Sequence, residues 1–344
     1  MMRKLIGLLI LAALLFNGCL ITDDAKGDKV VHIYTHRHYD VDKELFKEFE
    51  KKTGIKVKVL KDDAGKLMAR IQNEGKNTQA DILVTVDAGR LVKAKQEGIL
   101  QPITSEILDK NVPTHLKDAE GYWYGQTIRG RVVVYSKERV KAGELSTYED
   151  LASDKWKGRL LVRSSSNMYN QSLMASMVSH HGADSAKAWA KGIVKNMARA
   201  PKGNDRDQVK AIAAGKADIA IVNTYYIGKL LNSDNAEEVK AGESVGVFFP
   251  NQDGRGAHIN ISGAGITKHA KHKENAIKLL EFLSEKEAQI RFAEANYEYP
   301  VLRGVAFSDL LNSWGKFKAD EIPLSELGEN NTKAIELFNE AGWL

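Results

Sequence analysis

The chain has very little cysteine, little proline and little excess charge of either sign. Cys19 is the single cysteine in 344 residues. A lone thiol excludes both a disulfide scaffold and a thiolate metal cage, because each needs several. Six prolines and no low-complexity tract leave no candidate for a long structureless linker. No segment repeats at a solenoid period. The formal charge is +5, and it falls to +3 (48 basic against 45 acidic residues) once Arg3 and Lys4 are set aside. The basic residues are interspersed with acids, as on a solvated surface, so no nucleic-acid partner is expected. Two catalytic motifs are also missing. Ser164-Ser165-Ser166 lacks a Gly-x-Ser-x-Gly context, and Gly254-Arg255-Gly256 lacks the strand-to-helix setting and Gly-Lys-Ser/Thr ending of a phosphate loop.

The first residues differ in composition from the rest. Arg3 and Lys4 precede an almost wholly apolar run, 5–16. Its twelve residues are too few for a membrane span, which needs roughly twenty, so 1–18 is expected to be a signal peptide. It ends in Phe16-Asn17-Gly18-Cys19, similar to a bacterial lipobox, although Phe16 stands where leucine is usual. Cys19 is therefore expected to carry a lipid, with 19–29 as its tether; the alternative is ordinary cleavage into a soluble periplasmic form.

From residue 30 the pattern is α/β. The β-branched run 30–35, alternating 55–59 and apolar 80–86 read as strands. Between and after them, helical spacing places Val41, Leu45, Phe46 and Phe49 on one face and Leu67, Met68 and Ile71 on another, with a third helix over 88–97. Asp40 is expected to cap the first helix. A β-α-β-α-β order implies a parallel sheet with right-handed crossovers. Residues 122–135 read as a strand crossing into a second lobe of the same kind, and 245–250 with 258–266 as the return. The tail 308–344 reads as helical, with Leu310, Leu311 and Trp314 packing on the first lobe. The expected division is 30–130 with 258–344 as lobe one, and 131–257 as lobe two.

The most informative stretch is Asn223-Thr224-Tyr225-Tyr226, which follows the apolar strand 218–222 and precedes a helix over 227–232. In open α/β sheets ligands bind at such strand ends. Tyr39 follows the first strand, and Tyr169 follows the strand 159–162. Four phenols at three matched corners can converge on one cleft. A phenol has a pKa of about 10, so only a strong cation makes it an anion at pH 7. Phenolate is a hard donor, whereas zinc favours thiolate and imidazole and magnesium or calcium favour carboxylate and water. The set therefore points to ferric iron, with His38 able to add an imidazole. Arg129 or Arg131, on the crossing strand, can neutralise the surplus negative charge of four phenolates around Fe(III). Ser164 to Ser166 are expected to cap the helix that carries Tyr169. His36 with His38 offers no third nitrogen ligand for copper or zinc, and His180-His181 sits at a helix end where imidazolium suits the dipole.

Arg37-His38-Tyr39, the run from Arg163 through Tyr169 to Ser172, Asn223-Thr224-Tyr225-Tyr226 and Phe248-Phe249-Pro250-Asn251-Gln252 together resemble the ferric-iron-binding proteins of bacterial ABC importers. The similar class holds iron without an obligatory synergistic anion, and the resemblance covers about 30–305. It implies a two-lobed, type II periplasmic-binding-protein fold, with Fe(III) as transported ligand on His38, Tyr39, Tyr169, Tyr225 and Tyr226. It favours Arg129 over Arg131 as the charge partner. It also implies a periplasmic or extracytoplasmic monomer, not an enzyme, that serves an ABC permease and its ATPase subunit and is held to the membrane through a lipid anchor. Two other readings are a receptor of the same fold for a polyamine, thiamine or oxyanion, and a secreted hydrolase using Ser164 to Ser166. The second lacks a histidine–carboxylate pair at the same corner.

Overall fold

A computed structural model describes residues 29–344; the expected signal peptide and Cys19 lie outside the described residues. No helix among the described residues is long and apolar enough to cross a membrane.

The first lobe opens with β1 (Val30–Thr35), α1 (Asp40–Thr53), β2 (Lys56–Lys61), α2 (Ala64–Glu74), β3 (Ile82–Thr85), α3 (Ala88–Gln96), β4 (Leu100–Gln101) and α4 (Glu106–Asn111). β1 lies between β2 and β3, parallel to both. The inward faces of the helices are those the spacing predicts: Val41, Leu45 and Phe49 on α1, and Leu67, Met68 and Ile71 on α2. Asp40 does not cap α1. It is the first helical residue and pairs with Lys43 at 2.7 Å, and the cap position is Tyr39 with no side-chain cap bond.

β5 (Tyr124–Ser136) joins the halves. Up to Gly130 it pairs antiparallel with β9 (Ile259–Thr267), which lies beside β3; from Arg131 it pairs antiparallel with β7 (Ile219–Asn223) and with β8 (Val245–Phe248). One strand thus serves two sheets, and the chain returns between β8 and β9. The second half also contains β6 (Leu160–Leu161), parallel to β7, and α5 (Met168–Asn196), α6 (Asp205–Ala213), α7 (Thr224–Leu231) and α8 (Ala236–Glu243). α5 is broken at Gly182, whose φ of 77° and ψ of 166° leave the helical region, as glycine permits. After β9 come α9 (Lys273–Ser284), α10 (Lys286–Asn296), β10 (Tyr299–Pro300), α11 (Asp309–Ser313), α12 (Ser325–Glu329) and α13 (Asn331–Ala341).

The tail departs from expectation. Leu311 enters the second lobe's core with Val132, Val134, Val222 and Leu230, and Trp314 and Phe317 pack beside it. α13 packs on α5, and Trp343 lies 6.0 Å from Trp189, ring to ring. Ser165 N–H donates to the carbonyl of Leu344 at 3.1 Å. α12 reaches both α3 and α5. Periodicity identifies the apolar face of a helix; the uncovered surface that takes it is set by the assembled lobes.

Candidate metal centre

Each tyrosine corner has its own local cause. At the end of β1, Thr35 Oγ1 accepts the N–H of Arg37 at 2.9 Å and donates to its carbonyl at 3.1 Å, which turns the chain so that Tyr39 sits at the cap position just before α1. After β6, Asn167 rather than the three serines caps α5, its Oδ1 accepting Tyr169 N–H at 3.2 Å. Asn170 Nδ2 donates to the carbonyls of Arg163 and Ser164 at 2.8 and 3.1 Å, closing the loop beneath Tyr169. After β7 there is no loop: Asn223 ends the strand, and Tyr225 and Tyr226 lie in the first turn of α7.

The phenols from these corners converge. Tyr169 and Tyr225 hydroxyls are 3.2 Å apart. The Tyr225 ring lies 4.2 Å from that of Tyr226 and 6.1 Å from that of Tyr39, which comes from the opposite lobe. His38 stands exposed beside Tyr39, rings 5.3 Å apart, with Nδ1 3.3 Å from the carbonyl of His36.

Cations back this cluster. Arg129 lies 5.8 Å from the Tyr225 ring centroid, and Arg131 and Arg163 lie 5.9 and 5.7 Å from that of Tyr169. Both crossing-strand arginines are buried, and each already has a carboxylate. Arg131 donates to Asp205 at 2.7 Å and to Asn170 at 2.7 Å. Arg129 donates to the Val86 carbonyl and Ser262 Oγ, and its Nη2 is 3.4 Å from Glu298. Both guanidiniums therefore belong to a buried polar network behind the phenols.

Sequence reasoning left several members of that network without a role. Arg37 packs over Tyr39 at 4.7 Å and pairs with Asp42 and Glu298, each at 2.8 Å. Asp205 joins Arg131 to Arg163. Lys229 places its ammonium 3.8 Å from the Tyr39 ring centroid and 5.5 Å from that of Tyr225. Helical spacing carried a signal for Lys229, one turn past Tyr225 on α7; nothing local marks Glu298 or Asp205.

Burial decides the protonation states. It is the main cause that pushes the phenols of Tyr39, Tyr225 and Tyr226 above their ordinary value, reinforced for each by its anionic or phenolic neighbours and opposed at Tyr39 and Tyr225 by Arg129. Tyr39, Tyr225 and Tyr226 are therefore neutral phenols at pH 7. Burial likewise pulls the Lys229 ammonium down to about 8, against the pull of Glu298.

Comparison with known proteins places this architecture. The family model for bacterial extracellular solute-binding proteins matches residues 44–319. The chain belongs to that family. Iron uptake protein A1 of Synechocystis is 49% identical to this solute-binding protein over 94% of the chain and 90% of its own length. Among solved structures, Trichodesmium IdiA (FutA) in complex with iron and citrate matches it with a TM-score of 0.89 at 49% identity, covering 92% of this chain and all of that one. The ferric binding protein of Campylobacter jejuni matches with a TM-score of 0.87 at 42% identity, covering 91% and 100%. The solute-binding protein has their two-lobed, type II periplasmic-binding-protein fold. The role of this family is extracytoplasmic capture of a solute for an importer.

Proposed function

We propose that this protein is the ferric-iron receptor of an ABC importer. It captures Fe(III) between its lobes and delivers it to a membrane permease driven by an ATPase subunit. The observation that carries this reading is the convergence of four phenols, one from the first lobe and three from the second, in front of buried arginines. The names of its relatives agree with it. Tyr39, Tyr169, Tyr225 and Tyr226 supply phenolates, and His38 supplies an imidazole from its exposed position beside Tyr39. Arg129 and Arg131 hold the phenolate charge within the buried network. A polyamine fits this site poorly, because Asp205 and Glu298 are already engaged by arginines.

Within this proposal the protein binds and releases its cargo without covalent chemistry, as a monomer tethered through lipidated Cys19 after removal of 1–18. Residues 30–130 with 258–300 act as one jaw, and 131–257 with the tail as the other. Ferric citrate added to apoprotein should produce a visible phenolate-to-iron charge-transfer band. An unchanged band in a Tyr225→Phe/Tyr226→Phe double variant, or no band in the parent protein, sinks the assignment.

A further inference from the structure

A second group of metal-ligand side chains lies away from the phenols, at the opposite end of the first lobe's strands. His32 is on β1, three residues before its end; Asp81 immediately precedes β3; His272 immediately precedes α9. From His32 to the end of β1 is about 10 Å of strand at roughly 3.3 Å per residue, and the Tyr39 corner lies beyond that. Ligand atoms from His32, Asp81 and His272 all lie within 4.8 Å of one another. We propose that these three residues form a second metal site, for a borderline divalent cation of the Zn(II) type.

The first argument is geometric. Zinc bonds nitrogen and oxygen at about 2.0–2.1 Å, so neighbouring ligands in a tetrahedral site stand about 3.3 Å apart. Here Asp81 Oδ2 is 3.4 Å from His32 Nδ1 and 2.9 Å from His272 Nδ1. Two edges of a tetrahedron are thus nearly set, and the third closes by a small rotation of the imidazoles. Three protein ligands leave a fourth position for water.

The second argument is donor and acceptor arithmetic. A carboxylate oxygen offers about two lone-pair directions. Three nitrogens point at Asp81 Oδ2: the two imidazole Nδ1 atoms and the backbone N–H of His32, at 2.8 Å. The backbone donor takes one direction, and two imidazoles compete for the other. A cation held between Oδ2 and both Nδ1 atoms replaces that competition with three bonds. Asp81 is fully buried, while the His32 and His272 side chains keep 18% and 15% exposure, so the cation has a route in from solvent.

The third argument is rigidity. Asp81 N–H donates to the His32 carbonyl at 2.9 Å, Thr267 N–H donates to the Asp81 carbonyl at 3.0 Å, and His272 N–H donates to Asp81 Oδ1 at 2.9 Å. Three elements therefore hold the ligands in place before any ion arrives. Imidazole with one carboxylate suits zinc, copper or nickel; magnesium and calcium prefer all-oxygen shells, and Fe(III) prefers the phenols. A bound ion would clamp β1, β3 and α9 together without touching the cleft.

The test uses ferric-loaded full chain titrated with Zn²⁺ against a chromophoric chelator at pH 7.5. The expected result is one equivalent bound, with affinity reduced at least tenfold in His32→Ala and in His272→Ala. Zinc should raise the Tm of the parent protein and not that of His272→Ala. An unchanged ferric band in each variant shows that the fold and the cleft are intact. Should His272→Ala fail to fold, His272→Gln takes its place. No stoichiometric zinc, or affinity unchanged in the His272 variant, would each overturn the proposal.

Discussion

If four buried phenols hold the iron, loading must be a proton-releasing reaction. Burial raises the phenols of Tyr39, Tyr225 and Tyr226, so these three enter the reaction as neutral hydroxyls. Even at the ordinary pKa of about 10, ionising one phenol at pH 7.5 costs about 3.4 kcal/mol, or about 14 kcal/mol for four. The raised values make the true cost larger, and the Fe(III)–oxygen bonds must meet it. Four released protons mean that affinity falls by up to about 10⁴ for each pH unit on acidification. The perturbation is pH across 6 to 8, with ferric nitrilotriacetate as donor. The assay is isothermal calorimetry in buffers of different ionisation enthalpy, which counts protons directly once the chelator's own exchange is subtracted. About four protons should appear per iron, and one fewer in Tyr226→Phe. Two or fewer in the parent protein would refute the four-phenolate site.

Three further expectations follow from single contacts. Gly228 lies on α7 under the Tyr297 ring, and a Cβ there would come within 2.4 Å of that ring. Gly228→Ala should push α7 away from α10 at a cost of about 1–3 kcal/mol, seen as a five- to 150-fold rise in the iron Kd with the band's position retained. Glu298 is fully buried and faces Arg37 and Arg129. Glu298→Gln leaves those charges short of a partner and should cost about 3 kcal/mol in urea unfolding; a cost below 1 kcal/mol would contradict the network. Burial first, then Arg131 and Arg255, pull the His258 imidazole down to about 3. The unfolded chain takes up that proton below about pH 6.5 while the folded one does not, so stability should fall on acidification by about 1.4 kcal/mol per pH unit from this residue. Between pH 7.5 and 5.5 the parent protein should lose about 1.4 kcal/mol more unfolding free energy in urea than His258→Gln does.

The convergence of the tyrosines was legible before any coordinates. Tyr225 and Tyr226 follow an apolar run that could only be a buried strand, and Tyr39 and Tyr169 follow runs of the same kind. Strand ends in an open α/β sheet point at one another across the cleft, so sequence position translated into spatial convergence. The caps were less legible. Asn167, not Ser164 to Ser166, satisfies the α5 terminus, because several adjacent polar residues can offer the same bond and only backbone angles choose among them. The charge network was not legible. Glu298 meets Arg37 from 261 positions away in the chain, as residue numbers alone show, and no local pattern encodes such a meeting.

By itself the sequence determined the alternation of strands and helices, the inward face of each helix and the corners that carry phenols. These are properties of spacing within one element, where side-chain direction follows from 3.6- and 2-residue periods. Tertiary structure decided which lobe receives the tail, which carboxylate answers each buried arginine, and that Lys229 faces Tyr39. It also brought His32, Asp81 and His272 together. Those outcomes depend on which distant surfaces remain uncovered, and on the cost of leaving a buried charge unpaired, which is settled only when the whole chain is packed.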